Sequence, residues 1–264
     1  MAVDTIPAQL SEAFGFRNGN RGVHSSRSMM LGELELVLGA ASASWDATEY
    51  RTQLDSENLL GKRTATNRAH SARKLRALYG LDPEITVFRL LQHFWELDDD
   101  GATRPILALL CATARDPLLR SLTPILTSTE VGEVLDNELL RSEVETVAGD
   151  RFSESTKRSA ALNVATSWRQ SGHLAPRTRM RRKAPSSPAV TTYALALGYL
   201  EGRRGAFLLD SLWTQLLDLN TEELRQSIQS AALNGWLVYR AAGDVVEVRF
   251  PGLWTETEKE LLDE

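Results

Sequence analysis

The stretch RFSESTKRSAALNVATSWRQSGHLAPRTRMRRK, residues 151–183, carries the clearest fold signal in the chain. Its nine Lys and Arg residues and one acid, Glu154, give it a net charge of about +8. The chain has 264 residues and a formal net charge of −5, so everything outside the stretch sums to about −13. Clustered cations attract a polyanion, which scattered ones do not.

The first half of this stretch predicts an amphipathic helix. Ser153 is a suitable N-cap, Glu154 suits the positive end of a helix, and Gly172 ends it. Apolar residues recur at i, i+3, i+4 and i+7 on one face: Ala161, Val164, Ala165 and Trp168. The opposite face carries small or amide side chains able to lie against nucleic acid: Ser159, Asn163, Thr166, Ser167 and Gln170.

A basic extension follows the helix. After His173-Leu174-Ala175-Pro176 it contains Arg177, Arg179, Arg181, Arg182 and Lys183. Helix, turn and basic extension resemble the recognition helix and wing of a winged helix-turn-helix. The alternative is a solvated helix followed by a basic linker. The candidate DNA-binding residues of this stretch also include Lys157, Arg158 and Arg169.

A second basic surface is predicted between residues 61 and 79, which contain six cations and no acid. Thr64 is a suitable cap for a helix that Gly80 ends. A run of cations on a helix is often only a solvated face. Beside the first basic stretch, however, it adds three candidate DNA-binding residues: Lys62, Arg63 and Arg68.

The chain divides into six predicted parts. A loose N-terminal arm (1–27) precedes a helical bundle (28–150), with an apolar central helix near residues 104–114 and a long acidic helix from Ser128 to Val147. We expect the acidic helix to neutralise part of the basic one. The recognition helix and basic wing (151–183) form the first winged-helix-like unit, and the Pro- and Ser-containing segment 184–188 is a linker. A C-terminal winged-helix-like unit (189–254) and an acidic tail (255–264) follow. The predicted fold class is mainly α, with one or two small β-hairpins.

The C-terminal unit shows a helix followed by a hairpin pattern. Asn220 and Glu223 form a capping-box pattern, and two β-rich runs, 236–240 and 245–250, flank a turn. Residues 186–251 hold seven acids and five Arg. Because carboxylates repel phosphates, this wing favours contact with protein or a homodimer.

Catalytic and metal-binding chemistry is not indicated. The single cysteine, Cys111, lies in an apolar run, and His24, His70, His93 and His173 fall in separate segments without metal-ligand spacing. We therefore predict no cofactor, no metal and no enzymatic activity. No apolar run approaches the roughly 20 residues of a membrane span, and no signal-peptide pattern is present, so a cytoplasmic location without membrane contact is expected.

Three phrases give the chain a family resemblance: NLLGKRTATNRAHSARKLRALYG, LALLCATARDPLLR and KRSAALNVATSWRQSGHL. Over residues 28–183 the chain resembles the BrxA family of bacterial BREX phage-defence systems. The resemblance implies a small, mainly helical protein, partly similar to the NusB fold, that binds DNA without enzymatic activity. The longer region from Ala189 onward and the acidic overall charge depart from that family.

The sequence therefore predicts a DNA-binding, non-catalytic component of a phage-defence system, with double-stranded DNA and other defence proteins as partners. Two alternatives stay open. One is a winged-helix transcription regulator. The other is an assembly adaptor whose acidic C-terminal unit docks larger defence subunits without direct DNA binding.

Overall fold

Apolar periodicity organises the chain into helices around one core. The computed structural model describes residues 8–19, 22–98, 101–243 and 245–262. Within these residues the chain is mainly helical and has one two-stranded antiparallel sheet. The elements are α1 (Ala8–Ala13), α2 (Leu31–Ala40), α3 (Ala47–Asp55), α4 (Ala65–Tyr79), α5 (Thr86–Glu96), α6 (Arg104–Arg115), α7 (Pro117–Ser128), α8 (Asn137–Ala148), α9 (Glu154–Gln170), α10 (Pro188–Leu200), α11 (Ala206–Leu209), α12 (Leu212–Gln215), α13 (Thr221–Leu233), β1 (Val238–Ala242), β2 (Val245–Arg249) and α14 (Glu256–Leu262).

The central helix is α6, as predicted. Every side chain from Ile106 to Ala114 is buried, because helices α4, α5, α7, α9 and α10 pack around it. Cys111 is fully buried there, and burial raises the pKa of its thiol to about 12. The thiol is therefore protonated at neutral pH and serves as a small apolar side chain.

The predicted caps are confirmed. Thr64 and Ser153 accept hydrogen bonds from backbone N–H groups at the starts of α4 and α9, and Asp46 does the same at the start of α3. Asn220 and Glu223 form a complete capping box at the start of α13. These short-range bonds fix the helix starts wherever the sequence places a suitable side chain.

Residues 117–182 have the order of a winged helix-turn-helix. Val134, in the turn between α7 and α8, pairs with Met180, and Leu174 after α9 pairs with Arg181. The segment around Arg181 thus lies between the other two segments. In that order, α9 corresponds to the recognition helix, and we call the turn between Leu174 and Arg182 the wing.

The predicted long helix from Ser128 to Val147 is wrong. Helix α7 ends at Ser128, and α8 begins only at Asn137, capped by Asp136. Val131 and Val134, which continue the apolar spacing of the predicted helix, are 60% and 68% exposed. The intervening turn instead makes backbone bonds to the wing, which compensate for the interrupted helix.

The C-terminal unit repeats the same order with a better-formed hairpin. Helices α10, α12 and α13 precede β1 and β2, which pair from Val238↔Arg249 to Ala242↔Val245. The predicted hairpin is thus confirmed. Residues 206–209 form the one-turn helix α11.

The predicted linker, residues 184–188, joins units that share one core. Ala184 is buried, and Ser187 caps α10 through the N–H of Val190. Helix α10 then packs against α5 and α6, and the Tyr193 hydroxyl donates to the Val87 carbonyl at 2.9 Å. The segment is a tight connection, since the apolar face of α10 completes the core of the bundle.

The described part of the predicted loose arm is packed. Phe14, Phe16 and Val23 are buried in the main core, which corrects the prediction for residues 8–19 and 22–27. The prediction for residues 1–7, 20 and 21 lies outside the described part of the chain. Aromatic side chains among glycines and polar residues lack a helical period, yet their burial still stabilises the fold.

The predicted acidic tail contains helix α14, which docks on α5. Glu258 is buried and forms an ion pair with Arg89 at 2.6 Å, while Thr86 donates to it at 2.5 Å. Burial alone would raise the pKa of Glu258, but these hydrogen bonds outweigh it and lower the pKa. Residues 263 and 264 lie outside the described residues.

A buried polar chain connects the N-terminal segment to α7 and α9. His24 Nδ1 lies 2.7 Å from Asp116 Oδ2, and His24 Nε2 lies 2.8 Å from Ser167 Oγ. Asp116 also caps α7 by accepting from the N–H groups of Leu118 and Leu119. Burial opposes the charged form of Asp116, yet His24 and these bonds lower its pKa. The carboxylate therefore stabilises the fold as an anion.

We predict that Asp116→Asn lowers the free energy of unfolding by about 3 kcal/mol at pH 7, because it breaks a buried, hydrogen-bonded pair. Since the folded-state pKa of Asp116 is depressed, its contribution is present above the unfolded-state pKa and is lost as pH falls through the folded value. Urea unfolding from neutral to acid pH measures this difference. The exposed Glu138→Gln variant is the control. Equal stability of Asp116→Asn and wild type at pH 7 would contradict the assignment.

Candidate nucleic-acid interface

The outer face of α9 carries small side chains. Its predicted core residues are buried, and on the opposite side Ser159 is exposed and Thr166 is half-buried. Both hydroxyls donate to carbonyls one turn earlier, at 2.9 and 2.7 Å. Leu162, between them, is 52% exposed. This face is shallow and uncharged, so a groove edge can approach the helix closely.

Two predicted contact residues of α9 face the protein instead. Ser167 is fully buried; its Oγ accepts from the Met29 N–H at 2.9 Å and donates to the Asn163 carbonyl at 3.0 Å. Asn163 is half-buried and donates to the His24 carbonyl at 2.9 Å. The prediction of a free polar surface is wrong for Ser167, because the N-terminal segment covers that edge of the helix.

Arginine side chains converge at the end of α9 and on the wing. Burial lowers the pKa of Arg179, and the neighbouring Arg169 and Arg141 lower it further. Neither Arg169 nor Arg179 makes a side-chain hydrogen bond or ion pair among the described residues, and one N–H-bearing nitrogen of each is buried without a partner. Gln170, the next residue, is half-buried, and its Oε1 also lacks a partner. We call Arg141, Arg169 and Arg179 the wing cluster.

The wing cluster has the properties of an anion site. Guanidinium groups stay protonated in proteins, so these side chains repel one another without a counter-charge. Arg141 has one exposed carboxylate partner, Glu138 at 3.3 Å. A phosphate beside Arg169 and Arg179 would satisfy their free donors and relieve the repulsion.

Several predicted phosphate-binding cations are already paired. Lys157 lies between Glu145 at 3.1 Å and Glu154 at 2.8 Å. These carboxylates raise the pKa of Lys157 through their hydrogen bonds. Two other predicted contacts have single partners. Lys183 bonds Glu223 at 2.5 Å, and Lys62 bonds Glu33 at 2.9 Å. Their charge is therefore offset locally.

The prediction of Arg181 as a phosphate contact is wrong. Its side chain is 2% exposed and forms a two-pronged ion pair with Asp218, one bond of which measures 2.9 Å. Its Nε also donates to the Leu126 carbonyl at 3.1 Å. Because alternate residues of an extended segment point to opposite sides, Arg181 faces the core while Met180 and Arg182 face solvent.

The remaining predicted cations have no ion-pair partner among the described residues. Arg177 and Arg182 on the wing and Arg158 on α9 are exposed. Arg158 borders a groove that also contains Glu138 and Glu145. On and before α4, Arg63 is exposed and Arg68 is half-buried.

Arg141 is a site residue that the sequence did not reveal. It is the one cation among seven acids between Glu130 and Asp150, which makes the segment look uniformly repulsive to phosphates. Only the fold brings this side chain close enough to Arg179 to act on its charge. An isolated arginine on an acidic helix, next to a basic stretch, was the available signal.

The arrangement of Ser167, His24 and Asp116 has the bonding order of a hydrolase triad, but it serves the fold. All three side chains are fully buried, and the serine hydroxyl donates to a helix carbonyl, so it is not a free nucleophile. Among the described residues no group of three His, Cys, Asp or Glu side chains could hold a metal ion. None of the described helices is both long and apolar enough to cross a bilayer.

No family model and no curated protein matches the chain.

We predict that Arg181→Gln destabilises the fold by about 3 kcal/mol, because it leaves Asp218 buried without its counter-charge. The neighbouring Arg182→Gln, which also removes one charge, should change the free energy of unfolding by less than about 0.5 kcal/mol. Chemical denaturation measures both. Equal effects of the two substitutions would show that Arg181 is not held in the core.

Proposed function

We propose that the protein binds double-stranded DNA through α9 and the wing, as a non-catalytic, cytoplasmic component of a bacterial BREX-type phage-defence system. The wing cluster carries the DNA part of this proposal. Its cations lie beside the shallow outer face of a helix in the recognition position. That combination suits a helix that enters the major groove while adjacent cations bind the phosphates.

The ion pairs indicate which cations of the basic stretch remain available to bind phosphates. Arg158, Arg169, Arg177, Arg179 and Arg182 are the cations of the predicted stretch with no ion pair among the described residues. If about five phosphates are neutralised, log K against log salt has a slope of roughly −4 to −5. Ser159 and Thr166 offer few directed groups to base edges, so binding is expected to show weak sequence preference.

Removal of two arginines of the wing cluster tests the DNA interface. We predict that Arg169→Gln/Arg179→Gln weakens duplex binding and makes the salt slope less steep by about 2, one for each lost phosphate contact. A salt series of gel-shift or anisotropy measurements gives the slope. The control is Arg240→Gln/Arg249→Gln, which removes the same charge from β1 and β2, where both arginines pair with Glu247. A wild-type slope near zero would reject DNA binding.

Glu145 offsets part of the positive charge at the start of α9 by pairing with Lys157. We predict that Glu145→Gln raises duplex affinity a few-fold at low salt, because it removes a carboxylate from Lys157 and from the path of a phosphate. Glu133→Gln is a matched control, since Glu133 accepts from the N–H of Glu130 in its own turn. Equal gains from both substitutions would indicate a general charge effect.

The defence assignment depends on the resemblance to BrxA proteins quoted above. It implies a mainly helical protein that binds DNA, and the helical fold and the wing cluster are compatible with this. Neighbouring genes for a methyltransferase, an alkaline-phosphatase-like protein and a large ATPase would support it. Phage plating on a host with and without the gene tests it, and unchanged plating in a complete defence locus would count against it.

A protein-docking role for the C-terminal unit is the second candidate. A groove of about 420 Å3 lies between α12, α13 and the hairpin, with an apolar floor that includes Leu224, Ile228 and Val246. On the same unit, Leu233 at the far end of α13 is 90% exposed, and Phe207 on α11 is 56% exposed. An apolar groove beside the acidic start of α13, with exposed apolar side chains on the same unit, favours a protein or a second copy over DNA. Sedimentation, and co-purification with the locus products in nuclease-treated extract, distinguish these partners.

A further inference from the structure

A basic groove runs along the exposed side of α4, outside the winged unit. It has a volume of about 600 Å3 and is lined by both small and basic side chains. Ala65, Thr66 and Ala69 are exposed, so a sugar-phosphate chain can approach the helix without meeting a bulky side chain. Its lining cations are Arg68, Arg73 and Arg76.

Most of the charge at this groove is not neutralised. Asp55 also lines the groove but pairs with Arg76 at 3.0 Å. Arg68 and Arg73 have no ion pair among the described residues. Arg73 instead lies 3.2 Å from His70 Nδ1, which can accept a hydrogen bond from it.

Arg27 and Lys74 extend this charge beyond the groove. Burial lowers the pKa of Lys74, Arg73 and Arg27 lower it further, and only Asp116 opposes them. Neither Arg27 nor Lys74 forms an ion pair in the described part of the chain. The carboxylate of Asp116 is itself bonded to His24. We call Arg27, Arg68, Arg73 and Lys74 the α4 cluster.

The α4 cluster lies on the opposite flank of α9 from the wing cluster. Asn163 donates to the His24 carbonyl, and the Arg27 N–H donates to Val23 in the same turn, so this turn covers the Asn163 edge of α9. Arg169 lies about 120° away around the helix, from 100° per residue, on the edge next to Arg179. The outer face of α9 therefore lies between two groups of cations.

We propose that the α4 cluster binds the phosphates of one DNA strand while the wing cluster binds those of the other, so that the duplex is held across its major groove. This inference rests on the proposed DNA-binding function and adds a second contact surface from the helical bundle. A groove helix flanked by two basic clusters matches the two phosphate backbones that border a major groove.

The test is Arg27→Gln/Arg73→Gln/Lys74→Gln in the full chain. We expect it to weaken binding to a 20-base-pair duplex at least tenfold at low salt and to make the salt slope less steep by about 2 to 3. The charge-matched control is Arg225→Gln/Arg240→Gln/Arg249→Gln in the C-terminal unit, where all three arginines pair with glutamates. On a single strand of equal length, which has one backbone, the α4 variant should lose less affinity than on the duplex.

The outcomes separate the two proposals. If wild type shows no salt-dependent duplex binding, both are wrong. If Arg169→Gln/Arg179→Gln loses affinity while the α4 variant behaves like its control, only the second contact surface is wrong. Thermal unfolding checks the fold of each variant. If the triple variant unfolds, exposed Arg73→Gln alone carries the test, with an expected slope change of about 1.

Discussion

The carboxylate of Asp116 holds three parts of the chain together. It caps α7, accepts from both the backbone and the ring of His24, and through that ring reaches Ser167 on α9. Gly22 is needed beside it, because a Cβ there would lie 1.9 Å from Asp116 Oδ1. A buried anion is stable only when its hydrogen bonds are complete. The position of α9 therefore depends on the packed N-terminal segment.

That constraint decides which side chains of α9 remain available to a ligand. The turn at His24 occupies the edge with Asn163 and Ser167, which leaves Ser159 and Thr166 outward. Ion pairs with carboxylates also make Lys157, Arg181 and Lys183 less available to a ligand. The strongly basic stretch of the sequence thus becomes a smaller set of free arginines. The affinity for a polyanionic ligand would then depend more on which cations form ion pairs within the protein than on the total number of cations.

Local signals made much of the fold predictable. Capping side chains, the apolar period of α9 and the run around Cys111 each act within a few residues, and all are confirmed. The break between α7 and α8 was missed, because Val131 and Val134 continue the apolar spacing while their backbone pairs with a segment some 45 residues later.

The candidate site was less predictable, because its composition depends on distant pairings. The partner of Arg181 is Asp218, 37 residues away, and the positive neighbour of Arg179 on α8 stands in an acidic segment. Charge counting along the chain finds neither. It does identify the region, since Arg68, Arg73, Lys74, Arg169 and Arg179 lie in the two stretches that the sequence marks as basic, although Arg27 does not.

Helix α10 has a mechanical consequence for the whole molecule. Its buried sides contact α5 and α6 of the bundle as well as α12 and α13 of the C-terminal unit. Rotation of one unit against the other would require opening close-packed apolar surface, which is costly. The bundle and the C-terminal unit should thus move together as one rigid body. A force applied at the β-hairpin would then change the orientation of α9 as well, because the two are parts of the same packed body.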